Sequence, residues 1–383
     1  MKRWFAFFMS FVLICTAISA PTVRAGGTEA DSPLVSAKSA VLIDAQSGMV
    51  LYEKNPHEPL PPASITKVMT LLLVAEAIEN NELALTDMVK ASAHAVSMGG
   101  SQIWLKENEE MTVDDLLKAT AIGSANDASM ALAEHVAGTE EAFVTLMNKR
   151  AKELGMNNTV FKNPTGLDAD GHVSTAYDIA LMSKELLTHE TVTPYLSVWM
   201  DTLRGGQTQL VNTNKLVRFY NGCIGVKTGT TDGAGSCLSA AAVRNDVSLI
   251  SVVMGCATSA ERFDSARALL NYGFASFVRY TPATTTDTLP ALPVIHGTSE
   301  SVSLSVDSSA FLIQKADQEA VTESVSLPES INAPVKQGQE VGTLTITAGK
   351  ITQTIPICAS ADVPKMGLWS AICLMFSRVF AFR

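Results

Sequence analysis

Strand-like segments stand at both ends of the first two thirds of the chain, and apolar helical segments lie between them. At the start, residues 39–44 (SAVLID) and 49–53 (MVLYE) are joined by Ala-Gln-Ser-Gly, whose turn residues favour a hairpin. Near the end, residues 225–228, 237–244 and 247–254 form three further strand-like runs separated by turn residues. This arrangement predicts an α+β domain in which one antiparallel sheet carries the helices.

Several segments around these strands have the apolar spacing of helices. They cover residues 64–79, 113–121, 127–137, 140–154, 177–188 and 260–272. Helices and strands together predict one large domain over residues 34–280.

The composition changes after residue 280. Residues 281–293 (TPATTTDTLPALP) have the composition of a linker. Residues 294–360 are rich in Val, Ser, Thr and Ile, and we predict a small all-β domain there. Its expected strands cover residues 301–306, 311–313, 342–347 and 353–357.

The two termini carry targeting signals. Lys2 and Arg3 precede an apolar run followed by small residues, so residues 1–25 are predicted to be a secretory signal peptide. On a helix, residues 363–383 place apolar side chains on one side and polar side chains opposite, which predicts an amphipathic helix at a membrane surface. A transmembrane span and a helix packed on its own domain remain the alternatives. We therefore expect an exported protein at the outer face of the cytoplasmic membrane.

Charge and cysteine content exclude other classes. The formal net charge of −10 argues against a nucleic-acid partner, since phosphate binding needs clustered cations. Removal of the signal peptide leaves an odd number of cysteines without tight spacing, which favours buried thiols over disulfides. Cys223 and Cys237 are the pair in which a bridge would be sought. The histidines lack metal-ligand spacing, so neither a metal nor a cofactor is expected.

Ser64 and Lys67 form an S-x-x-K motif after two prolines, at the predicted start of a helix. Residues three apart share a helix face, so the two side chains can meet. A serine hydroxyl needs a base to become a nucleophile, and a lysine serves if its pKa is lowered.

Two further motifs follow in the same domain. Ser124 and Asn126 form S-x-N on a turn between two helices, where a hydroxyl can relay a proton and an amide can bind a lysine or a peptide group. A third motif, K-T-G-T, lies in a strand-like segment and offers a fixed cation, a glycine for close backbone approach and an N–H for an oxyanion hole. Its residues are Lys227, Thr228, Gly229 and Thr230.

S-x-x-K, S-x-N and K-T-G in this order are the signature of penicillin-recognising serine enzymes, with a β-lactamase/transpeptidase-like fold. More of the chain resembles the low-molecular-mass D-alanyl-D-alanine carboxypeptidases. The similar segments are residues 62–70, 124–128, 163–167, 172, 174–178 and 262–274. Asn108 stands where that family often has a turn glycine, and asparagine is a good substitute at positive φ. Thr230 stands where some members have histidine.

The resemblance implies a role for each motif residue. Ser64 would attack the carbonyl between the last two D-alanines of a peptidoglycan stem peptide, with Lys67 as the base. Ser124 and Asn126 would relay the proton and position the substrate, and the backbone N–H groups of Ser64 and Thr230 would form the oxyanion hole. Lys227 and Thr228 would hold the terminal carboxylate, helped by Arg262. β-Lactams would acylate Ser64.

Three alternatives stay open at this point. A D,D-endopeptidase that cuts cross-links would use the same residues. A class A β-lactamase shares the motifs but needs a glutamate to activate water, and the segment between Ser124 and Lys227 has no E-x-x-x-N arrangement. A non-catalytic penicillin-binding wall protein would have lost reactive residues, and all of them are present here.

Overall fold

The computed structural model describes residues 33–367. The predicted signal peptide and residues 368–383 of the predicted tail lie outside this range. The first strands and helices surround one central sheet. The strands are β1 (Ser39–Asp44), β2 (Val50–Lys54), β3 (Met88–Lys90), β4 (Glu110–Thr112), β5 (Met200–Leu203), β6 (Thr208–Val211), β7 (Cys223–Thr231), β8 (Gly235–Arg244) and β9 (Val247–Cys256). The helices are α1 (Lys67–Glu79), α2 (Ala93–Val96), α3 (Val113–Ala121), α4 (Asn126–Ala137), α5 (Glu140–Glu153), α6 (Ala176–Leu186), α7 (Thr193–Leu196), α8 (Leu216–Phe219) and α9 (Ser259–Ser276).

The central sheet is antiparallel with the strand order β2-β1-β9-β8-β7. Both of its faces are covered, so β1 is buried at every position, and its central residues Ala40–Ile43 are apolar without alternation. Val41 and Ile43 belong to the core that includes α1, whereas Ala40 and Leu42 belong to the core that includes α9. β7 is at one edge, with one side free to meet the segment that precedes α1.

Threonine side chains begin four of the helices. Thr112, Thr139, Thr175 and Thr258 each accept a hydrogen bond from a backbone N–H in the first turn of α3, α5, α6 and α9. At the Thr258 cap the Glu261 carboxylate in turn accepts from the Thr258 backbone N–H, which makes a capping box. Such caps satisfy N–H groups that have no partner inside the helix.

A β-rich region follows α9. Its strands are β10 (Phe277–Tyr280), β11 (Leu292–Ile295), β12 (Ser301–Val302), β13 (Leu304–Val306), β14 (Phe311–Gln314), β15 (Thr322–Ser326), β16 (Ile331–Asn332), β17 (Glu340–Ala348) and β18 (Ile351–Ala359). The largest sheet there has the order β13-β18-β17-β15. β10 follows α9 directly and pairs with β14, and Arg279 on β10 lies 3.2 Å from the buried carboxylate of Asp44 on β1.

The predicted α+β domain followed by a β-rich region is confirmed, as is the β1–β2 hairpin. The helix expected over residues 64–79 divides into a 3₁₀ turn, Ala63–Thr66, and α1. The antiparallel pair β3–β4 and the hairpin β5–β6 were not predicted. Within the described residues the cysteines are free thiols, namely Cys223, Cys237, Cys256 and Cys358.

Asn108 has φ +66°, as its position in a turn predicts. No helix within residues 33–367 is long and apolar enough to cross a bilayer. The numerical domain boundaries stay predictions.

Candidate active site

The chain enters α1 through a tight turn that presents Ser64. Ala63 has φ +50°, and residues 63–66 form the 3₁₀ turn on which side chains three apart are eclipsed. Ser64 and Lys67 are therefore adjacent, with 3.0 Å between Ser64 Oγ and Lys67 Nζ.

Lys67 Nζ has three oxygen neighbours. It donates to Asn126 Oδ1 at 2.6 Å and to the Thr165 carbonyl at 2.6 Å, and Ser64 Oγ is the third. A neutral amine has two hydrogens and one lone pair. The two acceptors with no hydrogen to offer, the amide oxygen and the carbonyl, take the two hydrogens. The lone pair is then directed to the Ser64 hydroxyl, which is the arrangement that a general base requires.

Burial favours that neutral form. Lys67 is fully buried, and desolvation lowers its pKa well below the ordinary lysine value. The charge of Lys227 lowers the pKa further, while Asp127 acts in the opposite direction. The Asp127 carboxylate also accepts from the backbone N–H groups of Ile103 and Leu105, so it has partners of its own.

The S-x-N motif, Ser124 and Asn126, lies on the side of the site opposite the central sheet. Asn126 begins α4, and its Nδ2 donates to the Gly99 carbonyl at 2.6 Å while its backbone N–H donates to Ser101. The amide is thus fixed with Oδ1 towards Lys67. Ser124 is buried two residues earlier and has φ +60°, so the turn between α3 and α4 presents it from a left-handed backbone.

A loop over residues 163–168 supports the nucleophile from behind. Asn163 Oδ1 accepts from the N–H groups of Thr165 and Gly166, which fixes the turn that points the Thr165 carbonyl at Lys67. Gly166 has φ +81°, and a Cβ there would lie 1.9 Å from the Ala63 carbonyl oxygen. Only glycine fits between this loop and the Ser64 turn.

The edge of β7 lies against the Ser64 turn. A Cβ on Gly229 would be 2.8 Å from the Pro62 carbonyl oxygen and 3.1 Å from the Ser64 nitrogen. The K-T-G glycine therefore permits close backbone approach, as the sequence predicts. This contact brings the backbone of Gly229 and Thr230 beside the Ser64 N–H.

Lys227 and Thr228 directly precede Gly229 in β7. Lys227 is almost completely buried, and desolvation together with the charge of Arg262 lowers its pKa to about 7. Among the described residues no carboxylate raises that pKa. The Thr228 hydroxyl donates to Thr213 Oγ1 at 2.7 Å. A buried lysine of this kind favours an anionic ligand, because the anion restores its charge balance.

Arg262 lies behind the strand. It projects from the first turns of α9, and its Nη1 donates to the Gly229 carbonyl at 2.9 Å and to Thr230 Oγ1 at 2.7 Å. These contacts fix the outer part of the K-T-G-T segment.

Comparison with known proteins now identifies the class. The family model "D-alanyl-D-alanine carboxypeptidase" matches residues 27–258, and "penicillin-binding protein 5, C-terminal domain" matches residues 280–365. The chain belongs to the D-alanyl-D-alanine carboxypeptidase family. It is 40% identical to the carboxypeptidase DacF of Bacillus subtilis over 96% of both chains.

Solved structures agree with this family. Penicillin-binding protein 5 of Haemophilus influenzae has 30% sequence identity and a TM-score of 0.82, covering 87% of this chain and 99% of that chain. Penicillin-binding protein D2 of Listeria monocytogenes in its ampicillin-bound form has 35% identity and a TM-score of 0.58, covering 63% and 98%. The prediction from the sequence that this is a serine-type D-alanyl-D-alanine carboxypeptidase is confirmed.

His172 supports the nucleophile turn of this carboxypeptidase. Its Nδ1 accepts from the Lys162 N–H at 3.3 Å, so Nε2 carries the hydrogen that reaches Thr66 Oγ1 at 2.9 Å. Burial lowers the pKa of His172 to about 4, so it is neutral at physiological pH.

One cluster outside the carboxypeptidase site has metal-ligand atoms close together: Glu76, Glu185 and His189. Arg150 already donates to both carboxylates, at 2.7 Å and 2.6 Å. The guanidinium therefore occupies the position that a cation would take.

The structure brings Ser64, Lys67, Asn126 and the K-T-G-T strand together. Sequence reasoning did not find the roles of Thr165, Gly166 or Asp127. The sequence features that mark these residues are the Asn-Pro-Thr-Gly turn and the aspartate next to the S-x-N motif. A backbone carbonyl that accepts from a lysine cannot be recognised from residue types.

Proposed function

We propose that the enzyme removes the terminal D-alanine from peptidoglycan stem peptides through an acyl-enzyme at Ser64. The observation that supports this most is the buried Lys67 amine, with two fixed acceptors and the Ser64 hydroxyl as its third neighbour. The family supplies the D-Ala-D-Ala substrate class.

In acylation, Ser64 Oγ bonds to the carbonyl carbon while its proton passes to Lys67 Nζ. The N–H groups of Ser64 and Thr230 receive the developing oxyanion. The peptide C–N bond then breaks, and the proton held by Lys67 passes through the Ser124 hydroxyl to the departing amine of D-alanine, which leaves Lys67 neutral and Ser124 protonated. In deacylation a water molecule adds to the ester with Lys67 as the base, which releases the shortened peptide and restores Ser64.

Lys227 and Thr228 bind the terminal carboxylate of the substrate, and Asn126 binds a peptide group next to the scissile bond. Arg262 acts through Gly229 and Thr230 as a positioning residue. β-Lactams enter the same site and acylate Ser64, a proposal supported by the ampicillin-bound Listeria relative.

The enzyme works at the outer face of the cytoplasmic membrane. The signal peptide predicted in residues 1–25 and the amphipathic helix predicted in residues 363–383 support this placement. Fractionation of cells that express the full chain or a chain ending at residue 367 tests it, because residues 363–366 still pair with the β-rich region. We expect membrane association of the first protein alone.

The test of activity is D-alanine release from a stem pentapeptide by the full chain and by Ser64→Ala. We expect release by the wild type only. Cleavage of a cross-linked peptide dimer without release from the pentapeptide would instead establish an endopeptidase, the activity that a relative in Escherichia coli is named for.

A further inference from the structure

A surface groove of about 710 Å³ lies next to the S-x-N motif. One wall is the loop that precedes β4, and the other is the turn and second strand of the β5–β6 hairpin. The lining contains none of the motif residues, so the groove is distinct from the reaction centre. It includes Trp104, Lys106, Glu109, Arg204, Gln207 and Gln209.

Both walls are fixed to the S-x-N motif. In the first wall, the Ser101 carbonyl accepts from the backbone N–H of Asn126 at 2.7 Å. In the second, Leu210 on β6 lies against the turn that carries Ser124, since a Cβ on Gly123 would be 3.2 Å from the Leu210 side chain. In the proposed function Ser124 relays the proton to the departing amine. The groove therefore lies on the leaving-group side of the reaction centre.

Backbone strain marks this groove. A left-handed backbone is unfavourable for residues other than glycine, and asparagine, aspartate and histidine adopt it most readily among them. Within residues 33–367, the residues of other types with this backbone are Ala63, Trp104, Ser124 and Arg204, with φ between +50° and +60°. The first and third shape the reaction centre, and the other two line the groove. Strained residues are concentrated at functional sites, where the surrounding structure enforces them.

Hydrogen bonds on both sides hold Trp104 in its strained conformation. The N–H groups of Ile103 and Leu105 donate to the buried Asp127 carboxylate at 3.2 Å and 3.0 Å. Arg204 Nη1 donates to the Ile103 carbonyl at 2.9 Å. The Trp104 side chain is nevertheless 74% exposed, so its ring contributes little packing to the fold. A fixed backbone thus presents a large aromatic surface whose burial in a complex would be favourable.

The charges of the lining favour a neutral ligand. Arg204 and Glu109 form an ion pair at 2.7 Å, so Lys106 accounts for the net charge of the lining. One cation in a chain of formal charge −10 is a poor match for a polyanion. A strongly apolar partner is disfavoured as well, because Trp104 is the one exposed apolar side chain in this lining.

A sugar ring has the chemistry that this lining requires. Its C–H face is apolar and can stack on the Trp104 ring. Its hydroxyl and acetamido groups can bond to the exposed amides of Gln207 and Gln209, which both donate and accept. The wall polymer carries its stem peptides on such rings, in a glycan of N-acetylated amino sugars.

We propose that this groove binds the glycan of the cell wall, with Trp104 stacked on a sugar ring and Gln207 and Gln209 bonded to its substituents. The inference rests on the proposed function, because peptidoglycan as the substrate comes from it. Glycan in the groove holds the enzyme beside the stem peptides that the polymer carries, which raises their effective concentration at Ser64.

The first test measures binding of an N-acetylglucosamine hexamer, a neutral sugar probe, to the full chain carrying Ser64→Ala. Calorimetry detects this binding without turnover. We expect saturable binding that Trp104→Ala weakens about tenfold, as loss of a central aromatic contact does. Trp104→Tyr should retain most of the affinity because it keeps an aromatic ring. Phe219→Ala is the matched control, since Phe219 is 68% exposed and lies outside the groove, and it should keep the parent affinity.

Trp104→Gly separates binding from folding. Glycine adopts a left-handed backbone without strain, so this variant should be at least as stable to heat as Trp104→Ala. It should bind the hexamer as weakly as Trp104→Ala does. A purely structural role of the ring would instead lower the Tm of both variants and leave the affinity unchanged.

The second test compares D-alanine release by the wild type from a free pentapeptide and from the same pentapeptide carried on a glycan strand. We expect a lower KM for the glycan-borne peptide and a similar kcat. Trp104→Ala should reduce the ratio of the two KM values towards one, and Phe219→Ala should keep the wild-type ratio.

Absence of hexamer binding by Ser64→Ala, or equal binding after Trp104→Ala, would overturn the glycan groove. Binding of the free pentapeptide that depends on Trp104, without binding of the hexamer, would assign the groove to a peptide instead. Failure of the wild type to release D-alanine from the free pentapeptide would overturn the proposed function, and the hexamer measurement would still decide the groove.

Discussion

The catalytic domain and the β-rich region differ in what they bury. The interior of the first holds Lys67, Lys227, Asp127 and most of Arg262. In the described part of the second, residues 281–367, every buried side chain is apolar. The β-rich core follows the ordinary rule that charged groups stay in water. The catalytic domain departs from it at the candidate site residues, and also at Asp44, which pairs with Arg279, and at Asp178, which accepts from Thr159.

This difference shows where function opposes stability. Burial of a lysine disfavours its charged form, and in the proposed mechanism that cost makes Lys67 available as a base. The β-rich region has no comparable buried charge among its described residues, so its core side chains contribute apolar packing. Substitutions in the two regions should therefore separate activity from stability.

The largest effect is expected from Lys67→Met. Loss of the base should slow acylation of Ser64 by up to about 10⁴-fold. The free energy of unfolding should change by less than about 2 kcal/mol, because two effects oppose each other. Methionine has no charge to desolvate, which stabilises the fold, but Asn126 Oδ1 and the Thr165 carbonyl lose their donor. Penicillin acylation rates and chemical denaturation measure the two quantities.

Lys67→Arg is the control, because arginine keeps a cation but cannot act as a base at neutral pH. It should be as inactive as Lys67→Met and less stable. Rapid acylation of either variant would contradict the role of Lys67.

Gly166→Ala is expected to slow acylation by about 10²-fold, because the new Cβ overlaps the Ala63 carbonyl oxygen and displaces the Ser64 turn. Gly155→Ala is the matched control. Gly155 has a similar φ of +76° but open space around it, so it should lose only about 1 kcal/mol of stability and no activity. Equal activity losses in both variants would show that backbone strain, not the contact with Ala63, is responsible.

The same contrast separates what the sequence predicts from what it does not. β1, β8 and β9 were predicted because they are long apolar runs buried on both faces. The β5–β6 hairpin was not, because most of its residues are exposed or half-buried and show no clear alternation.

In the site, the residue types of the motifs were sufficient to find Ser64, Lys67 and the K-T-G-T strand. The Thr165 carbonyl was not found, since any residue has a carbonyl and only the fold determines where it points.

Leu344→Ala in the β-rich region should destabilise that region by about 2–5 kcal/mol through the cavity it leaves. Leu344 is fully buried in the apolar core there. Because this core contains no catalytic group, the rate of Ser64 acylation should stay at the wild-type value. Scanning calorimetry and acylation kinetics measure the two effects, and a matching loss of acylation rate would show that the two regions are coupled.

The smallest effect is expected from Lys227→Arg and appears in the pH profile. With the pKa of Lys227 lowered to about 7, the lysine loses its charge above that pH and no longer attracts the substrate carboxylate. The wild-type kcat/KM should thus decline above pH 7, to about a tenth of its low-pH value at one pH unit above the pKa. Arginine stays charged, so the variant should lack this decline. Persistence of the decline in Lys227→Arg would assign it to another group.

The central claim is that Ser64 is activated by a lysine that burial keeps neutral. The most direct measurement is the rate of Ser64 acylation by benzylpenicillin as a function of pH in Lys227→Arg, where Lys67 is the remaining active-site lysine that titrates. The account predicts a rate that rises with pH and reaches its plateau well below the ordinary lysine pKa of 10.5. A rate that keeps rising until pH 10.5 would mean that Lys67 is protonated at neutral pH, and would contradict the account.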